Sequence, residues 1–534
     1  RNGNDMVSFF AGGGAVPWWI NSLSLFMGFV SASTFVVWGS IAYTAGWVAI
    51  SIQWSMSIAG MIVGFLIAPR WHKTQSLTAA EYICNRMGVK TQKIYSYIYL
   101  FIMVFLKAVC LYAVAIILQA STSVSFYWWV LILGAIVILY TSFGGLWAVV
   151  VTDVLQFIIL ISAGLILLPL SFDKVGGIHS FLNKIELQHA TNFFNFSDNK
   201  YTISFLIGFL FYNIFYLGGQ WSFIQRYTSV PSKKESRNVA VLFGLFYIVS
   251  PVIWMLPPMI YRAIDPSLIG LQSEQAYMKM AQTALPSGML GLIIISLIFA
   301  TNSSVQGFLN ISAGVVTNDL YKNIYPQSSE KKLLSVARIA TIFMGMIVII
   351  VGMLIPLMGG ATNVILSVAS ITGGAMYFPI IWTLFSKKQY SISVLSTTVL
   401  SLSINVFIKF LAPMLLGITI SRATEMLMGA FIPVLIIAIL EIYLRIKKYP
   451  ENEYQKYEQY LNLKNWKDET NVRVELMPGD KNQFGKRMIA IGILSIGGII
   501  AGLGIFSSIG RLYVLSMASV LILLGAIMFI KSKK

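Results

Sequence analysis

Apolar runs of about 20 residues, the length that crosses the hydrocarbon core of a bilayer as a helix, recur along the whole chain. They start near Trp19, Trp47, Tyr97, Trp128, Trp147, Ser204, Val239, Met289, Ile339, Val364, Val394, Leu427, Met488 and Leu512. The pattern predicts an all-α polytopic membrane protein of about fourteen spans. One sizeable polar stretch, Pro450 to Gln483, interrupts it and is rich in Glu, Tyr, Lys and Asn. A partly helical, solvated linker is the expectation there, with partner binding as its rival.

The polar connections carry the charge. Lysines come in pairs, Lys233-Lys234, Lys331-Lys332, Lys387-Lys388 and Lys447-Lys448. If Arg1 is cytoplasmic, the cationic segments Arg70 to Lys93, Arg226 to Arg237, Lys322 to Arg338, Lys387-Lys388, Arg445 to Arg487 and Lys531 to Lys534 all fall on one side. The loops near Ser121 and Gly360 have no cations, and two longer ones mix signs, with Asp173, Lys174, Lys184 and Glu186 in one and Arg262, Asp265 and Glu274 in the other. That asymmetry is the positive-inside pattern and predicts both ends in the cytoplasm. Composition agrees: 57% of residues are hydrophobic and 11% charged, against roughly a quarter charged in soluble domains. The formal charge of +18 is scattered over loops instead of gathered on one face, which argues against nucleic acid. Cys84 lies in an amphipathic loop and Cys110 in an apolar run, so no disulfide is expected. His72, His179 and His189 are not spaced as metal ligands. The sequence starts at Arg1 rather than Met, so a preceding segment is expected, and no cleavable signal is visible in what is given.

Several spans break the rules of a plain membrane helix. The first contains Gly28-Phe29-Val30-Ser31-Ala32-Ser33-Thr34, and the sixth contains Leu217-Gly218-Gly219-Gln220. Interrupted helices survive in hydrocarbon only around a cavity. These two occupy the same place in successive five-helix groups, the mark of an inverted-repeat transporter with its site between broken helices; small residues serving only close packing are the rival explanation. The eighth span carries Ala300-Thr301-Asn302-Ser303-Ser304, followed by Gln306 and Asn310. Neutral hydroxyls beside freed carbonyls form the hard-oxygen cage a monovalent cation needs, whereas several carboxylates would favour a divalent ion. Two charges lie at membrane depth, Lys107 in the third span and Asp153 in the fifth. Such charges face a cavity or a partner. For Asp153 an ion or gating role competes with a place in a wet vestibule; Lys107 is read as lining the solute cavity or pairing there.

Together these motifs resemble the sodium:solute symporters, the family of sodium/glucose cotransporters and bacterial sodium/sialic acid symporters. The likeness rests on Trp18-Trp19, on Leu77-Thr78-Ala79-Ala80-Glu81-Tyr82, and on Gly144-Gly145-Leu146-Trp147-Ala148-Val149-Val150 leading to Thr152-Asp153. Ile224-Gln225-Arg226, Ser303-Ser304 and Asn318-Asp319-Leu320-Tyr321 complete it. The resemblance implies a LeuT-type five-plus-five inverted repeat with additional C-terminal helices. It also implies a sodium site made by Met27, Val30, Ala300, Ser303 and Ser304. Some members hold a second sodium with the fifth-span aspartate and further hydroxyls. Asp153 is present, but Gln306 and Gly307 stand where those hydroxyls would be, so one Na⁺ per cycle is expected. For the solute, Asn213 and Tyr216 match the galactose transporter, while Phe29, Tyr247 and Ala369 replace its other sugar contacts. Ser31, Thr34 and Gln53 look like sialic acid contacts, and Lys107 lies near the cation that would meet a carboxylate. Gln220 and Tyr247 complete the candidate solute set.

The resulting expectation is a sodium-coupled symporter importing a sugar or an acidic sugar such as sialic acid by alternating access. A proton-coupled carrier or a sodium-dependent monocarboxylate transporter of the same fold is the alternative. No catalytic constellation suggests an enzyme, and no organic cofactor is expected. The expected divisions are residues 1–17 as a cytoplasmic segment, 18–172 and 203–387 as the two repeats, 388–446 as additional helices, 447–486 as a cytoplasmic loop and 487–534 as a closing helix pair. The expected setting is the bacterial cytoplasmic membrane, with the chain working as a monomer.

Overall fold

The computed structural model describes residues 17–531 apart from 77, 144–146, 187–199, 418, 471–479 and 508. All regular elements among the described residues are helical. Eleven helices are long and apolar enough to cross a membrane, and two bent helix pairs bring the number to 13. The apolar run near Trp128 forms helix Phe126–Phe143, whose described apolar part, Phe126–Leu139, is shorter than the others. Each of the fourteen apolar runs falls on a helix, but by length and composition 11 to 13 qualify as spans, so the expected count of fourteen is not reached.

Both predicted breaks are present. The first span is the pair Trp18–Phe29 and Thr34–Ala45, bent by 62°, with Val30 extended at φ −90°, ψ 123°. The sixth is the pair Ile203–Gly219 and Trp221–Thr228, bent by 59°, with Gln220 extended at φ −66°, ψ 126°. An extended residue interrupts the i→i−4 ladder, so backbone groups at each break need other partners. At the first break Thr34 Oγ1 accepts from Ser31 N (3.2 Å) and donates to Phe29 O (3.3 Å). At the sixth, Trp71 Nε1 donates to Gly218 O (2.7 Å), Tyr227 OH to Leu217 O (3.1 Å), and Gln220 Oε1 accepts from Trp221 N (2.9 Å). The glycine pair also packs closely: a Cβ on Gly219 would lie 2.6 Å from Tyr377 Cβ. Break and close packing are thus both real at the sixth span. The first and eighth spans each include a π-helical stretch, Thr34–Trp38 and Val315–Tyr321, a form that often marks functional positions.

Polar contacts tie the two ends of the bundle. On the end with few cations, the buried Glu274 accepts from Tyr112 OH (2.9 Å) and Thr362 N (3.1 Å). It thereby joins the connection before the eighth span to the third and tenth spans. Arg262 donates to the carbonyls of Tyr43 and Thr44, both at 2.9 Å, and so holds the end of the first span. On the basic end, Glu441 accepts from Ser386 Oγ (2.7 Å), Gln389 Nε2 (2.8 Å) and Arg445 Nε (3.0 Å).

The polar segment after Pro450 is helical and largely exposed in its described part, as a partly helical solvated linker would be, but it also packs on the bundle. It forms helix Asn452–Thr470, and the start of that helix docks on the bundle. Tyr457 is buried and meets the Tyr82 ring edge-on at 5.7 Å. Arg86 and Lys387 lie over the Tyr454 ring at 5.1 and 4.9 Å. Glu453 accepts from the Ser391 hydroxyl (2.7 Å) and amide (2.9 Å). Charged residues here alternate with Tyr454 and Tyr457, which pack on the bundle, while Tyr460 stays exposed.

Candidate functional site

The broken first span and the hydroxyl-bearing eighth span are in direct contact. Thr301 Oγ1 accepts from the amide of Ala32, just past the break, at 3.2 Å. Thr301 is flanked by Ala300 and lies one turn before Ser304; Ala300, Met27 and Val30 are all buried. The amide of Val30 donates to Met27 O at 3.2 Å. Ser304 Oγ faces across to the third span, where it accepts from Lys107 Nζ at 2.7 Å. The side chains of Ser303 and Asp153 lie outside the described residues.

The solute candidates divide into two groups. Around the first break, Ser31 Oγ is 2.7 Å from Ser33 Oγ, and both lie near Cys110 Sγ, at 3.7 and 3.8 Å. Cys110 follows Lys107 by one turn, so Ser31, Ser33, Cys110, Lys107 and Ser304 make one polar cluster. Tyr216 and Tyr247 reach the same place from the sixth and seventh spans. Tyr216 meets Phe29 edge-on at 5.4 Å, and Tyr247 packs on Phe26 at 5.3 Å and Phe29 at 6.3 Å. Phe29 in turn stacks on Phe223 at 4.5 Å.

The second group is engaged elsewhere. Thr34 and Gln220 have their oxygens committed to the two breaks, and Gln220 Nε2 donates to Met103 Sδ at 3.6 Å. Asn213 Nδ2 donates to Ser55 Oγ at 2.7 Å. Two buried polar atoms remain without a partner here, Asn213 Oδ1 and Gln53 Nε2. A buried polar atom left unpaired costs free energy; Gln53 Nε2 has a donor to give to a hydroxyl or carboxylate, and Asn213 Oδ1 can accept only from a donor such as a hydroxyl. Among the described residues no group of His, Cys, Asp and Glu could hold a metal ion. Neutral oxygens from the first and eighth spans fit a monovalent cation better.

Sequence reasoning missed two parts of this site. The aromatic wall that Phe26, Phe223 and Phe243 build around Phe29 carried no signal in sequence beyond Phe29 itself. Cys110 carried no signal except its place one turn beyond a membrane-depth lysine.

Comparisons with known proteins agree with this geometry. The signature of the sodium:solute symporter family matches residues 9–400. The chain is 27% identical over 435 residues to a sodium/glucose cotransporter of Vibrio parahaemolyticus, covering 76% of this chain and 79% of that protein. It is 27% identical over 377 residues to sodium/myo-inositol cotransporter 2 of Bos taurus, covering 64% of this chain and 56% of that one, so it spans little more than half the length of such mammalian relatives. In three dimensions it resembles a Na⁺-coupled sialic acid symporter, with a TM-score of 0.67 at 22% identity over 82% of this chain and 92% of the other. That likeness shows the fold, a LeuT-type inverted repeat of helices. The chain is a multi-pass membrane transporter, and it belongs to the sodium:solute symporter family.

Proposed function

We propose that the chain couples the entry of one sodium ion to the import of a small polar organic solute by alternating access. The observation that carries this reading is the junction itself. Ala32 at the broken first span bonds to Thr301, one turn before Ser304 on the eighth. Met27, Val30, Ala300, Ser303 and Ser304 are the proposed sodium ligands. Sodium held there joins two helices that belong to different repeats, 18–172 and 203–387, and so favours the conformation in which they meet. Solute then binds beside the first break, against Ser31, Lys107, Tyr216 and Tyr247, with Gln53 and Asn213 supplying their unspent polar atoms. Coupling needs only that ion and solute both prefer the same conformation. The membrane potential adds about 2.3 kcal/mol per charge per 100 mV to the inward run. The basic loops support a cytoplasmic setting for both ends of the given sequence, the Vibrio relative supports a bacterial cytoplasmic membrane, and the proposed unit is the monomer.

For the solute, an ammonium beside serine hydroxyls supports an acidic sugar. A second reading, a monocarboxylate, is favoured by the rings of Phe29, Tyr216 and Phe223, which offer apolar faces where a neutral sugar would need hydroxyl partners. Uptake into proteoliposomes under a sodium gradient, a potassium gradient or a pH gradient alone tests the coupling. A panel of neutral hexoses, sugar acids and monocarboxylates tests the solute. Sodium-driven uptake of an acidic compound is expected; uptake driven by the pH gradient alone, or of neutral hexoses only, would overturn the reading.

A further inference from the structure

The bond from Lys107 to Ser304 has a consequence for the ion. Lys107 Nζ donates to Ser304 Oγ at 2.7 Å, so in its protonated form it puts a positive charge on a hydroxyl proposed to ligate sodium. An oxygen that accepts from an ammonium and also holds an alkali ion, at the roughly 2.5 Å typical of hard cations, keeps the two charges no more than about 5 Å apart. In a protein interior, repulsion at that separation weakens ion binding on the order of a hundred-fold. The two cations therefore exclude one another.

The ammonium is also free to leave. Its partner is a neutral hydroxyl, and no carboxylate pairs with it among the described residues. A cation buried on so weak a partner keeps a large desolvation cost. One turn along the same helix face lies Cys110, whose Sγ is 3.7 Å from Ser31 Oγ at the first-span break. Torsions of the lysine side chain alone can carry the ammonium from the ion junction toward the solute side.

We propose that Lys107 is a tethered cation that occupies the ion junction when sodium is absent, and that sodium displaces it toward the solute pocket beside Ser31. Sodium binding then creates the cationic contact that an anionic solute needs, and solute holding that ammonium keeps it off Ser304. Each ligand raises the affinity of the other through one side chain. The proposal rests on the sodium-site reading given above, and its test separates the two.

The test is a sodium titration of the purified full-length protein at constant ionic strength, made up with choline chloride and read as a thermal shift. Sodium alone is the probe. Lys107→Met removes the competitor and is expected to lower the sodium midpoint ten- to a hundred-fold; Lys107→Gln carries the same expectation if the methionine variant does not fold. A merely structural lysine would lower the melting temperature at every sodium concentration without tightening the midpoint. A midpoint that is unmoved or raised in these variants, while Ser304→Ala abolishes the sodium response, overturns the tethered cation and leaves the sodium site standing. A wild-type midpoint in Ser304→Ala overturns the sodium site, and the proposal with it.

Discussion

At the scale of single residues, Thr301 and Glu274 make the sharpest predictions. Thr301 is buried and supplies the acceptor for the Ala32 amide. Thr301→Val keeps the shape and removes that acceptor, leaving a buried N–H unpaired at a cost of about 1–3 kcal/mol. A lower melting temperature is expected, restored in Thr301→Ser. Glu274 lies outside the spans. Burial pushes its carboxyl above the ordinary value of 4.5, although hydrogen bonds from Thr362 and Tyr112 pull the other way. The folded protein thus favours the neutral acid. The stabilisation this gives is complete below the ordinary carboxyl value and is lost as pH rises through the raised one. Melting temperatures measured from about pH 4 to pH 7 should fall with rising pH by more in the wild type than in Glu274→Gln. Equal slopes would show that Glu274 does not titrate in this way.

The hydroxyls at Thr301, Ser303 and Ser304 stood out at this scale because so many polar groups are not needed for packing, and the structure sets Thr301 against Ala32 and Ser304 against Lys107. Lys107 was legible as a buried charge but not as a partner of Ser304. Which side chain reaches across from another helix depends on interhelical geometry, which has no sequence period. Thr34 and Gln220 looked like solute contacts because polar residues at a break serve equally to cap the broken ends, and the structure spends their oxygens on that.

At the scale of elements, the two broken spans organise the molecule. Both were readable as short runs that conflict with a continuous helix, and both bend near 60°, at 62° and 59°. The glycine pair of the sixth span also had a packing reading, and the structure upholds both. Gly219→Ala would drive a methyl group to within 2.6 Å of Tyr377 Cβ, with no flexible side-chain end to yield. A loss of about 1–3 kcal/mol is expected, seen as a lower melting temperature together with slower uptake. Gly307→Ala on the eighth span is the contrast: nothing lies within 4 Å of the added carbon, and the better helix propensity should leave stability unchanged or raised by up to about 1 kcal/mol. The helix Asn452–Thr470 was expected in part, but its docking on the bundle was not legible. Its tyrosines alternate with charges, and no sequence period reveals that Tyr454 and Tyr457 meet Arg86 and Tyr82.

At the scale of the whole molecule, a fixed frame and a mobile junction must coexist. On the basic end Glu441 gathers Ser386, Gln389 and Arg445 and locks the end of the tenth span to the twelfth. Glu441→Ala strands these donors and is expected to cost about 2–4 kcal/mol, measured as thermal stability, with the sodium midpoint unchanged because the frame is remote from the junction. A shifted midpoint would mean that frame and junction are coupled. In the proposed mechanism the frame holds still while the first and eighth spans close on the ion. Equilibrium binding of radiolabelled sodium to the purified protein tests that closure most directly. Saturable binding that equal potassium does not displace, and that Ser304→Ala removes, is the predicted result; binding that survives Ser304→Ala at wild-type affinity would contradict it.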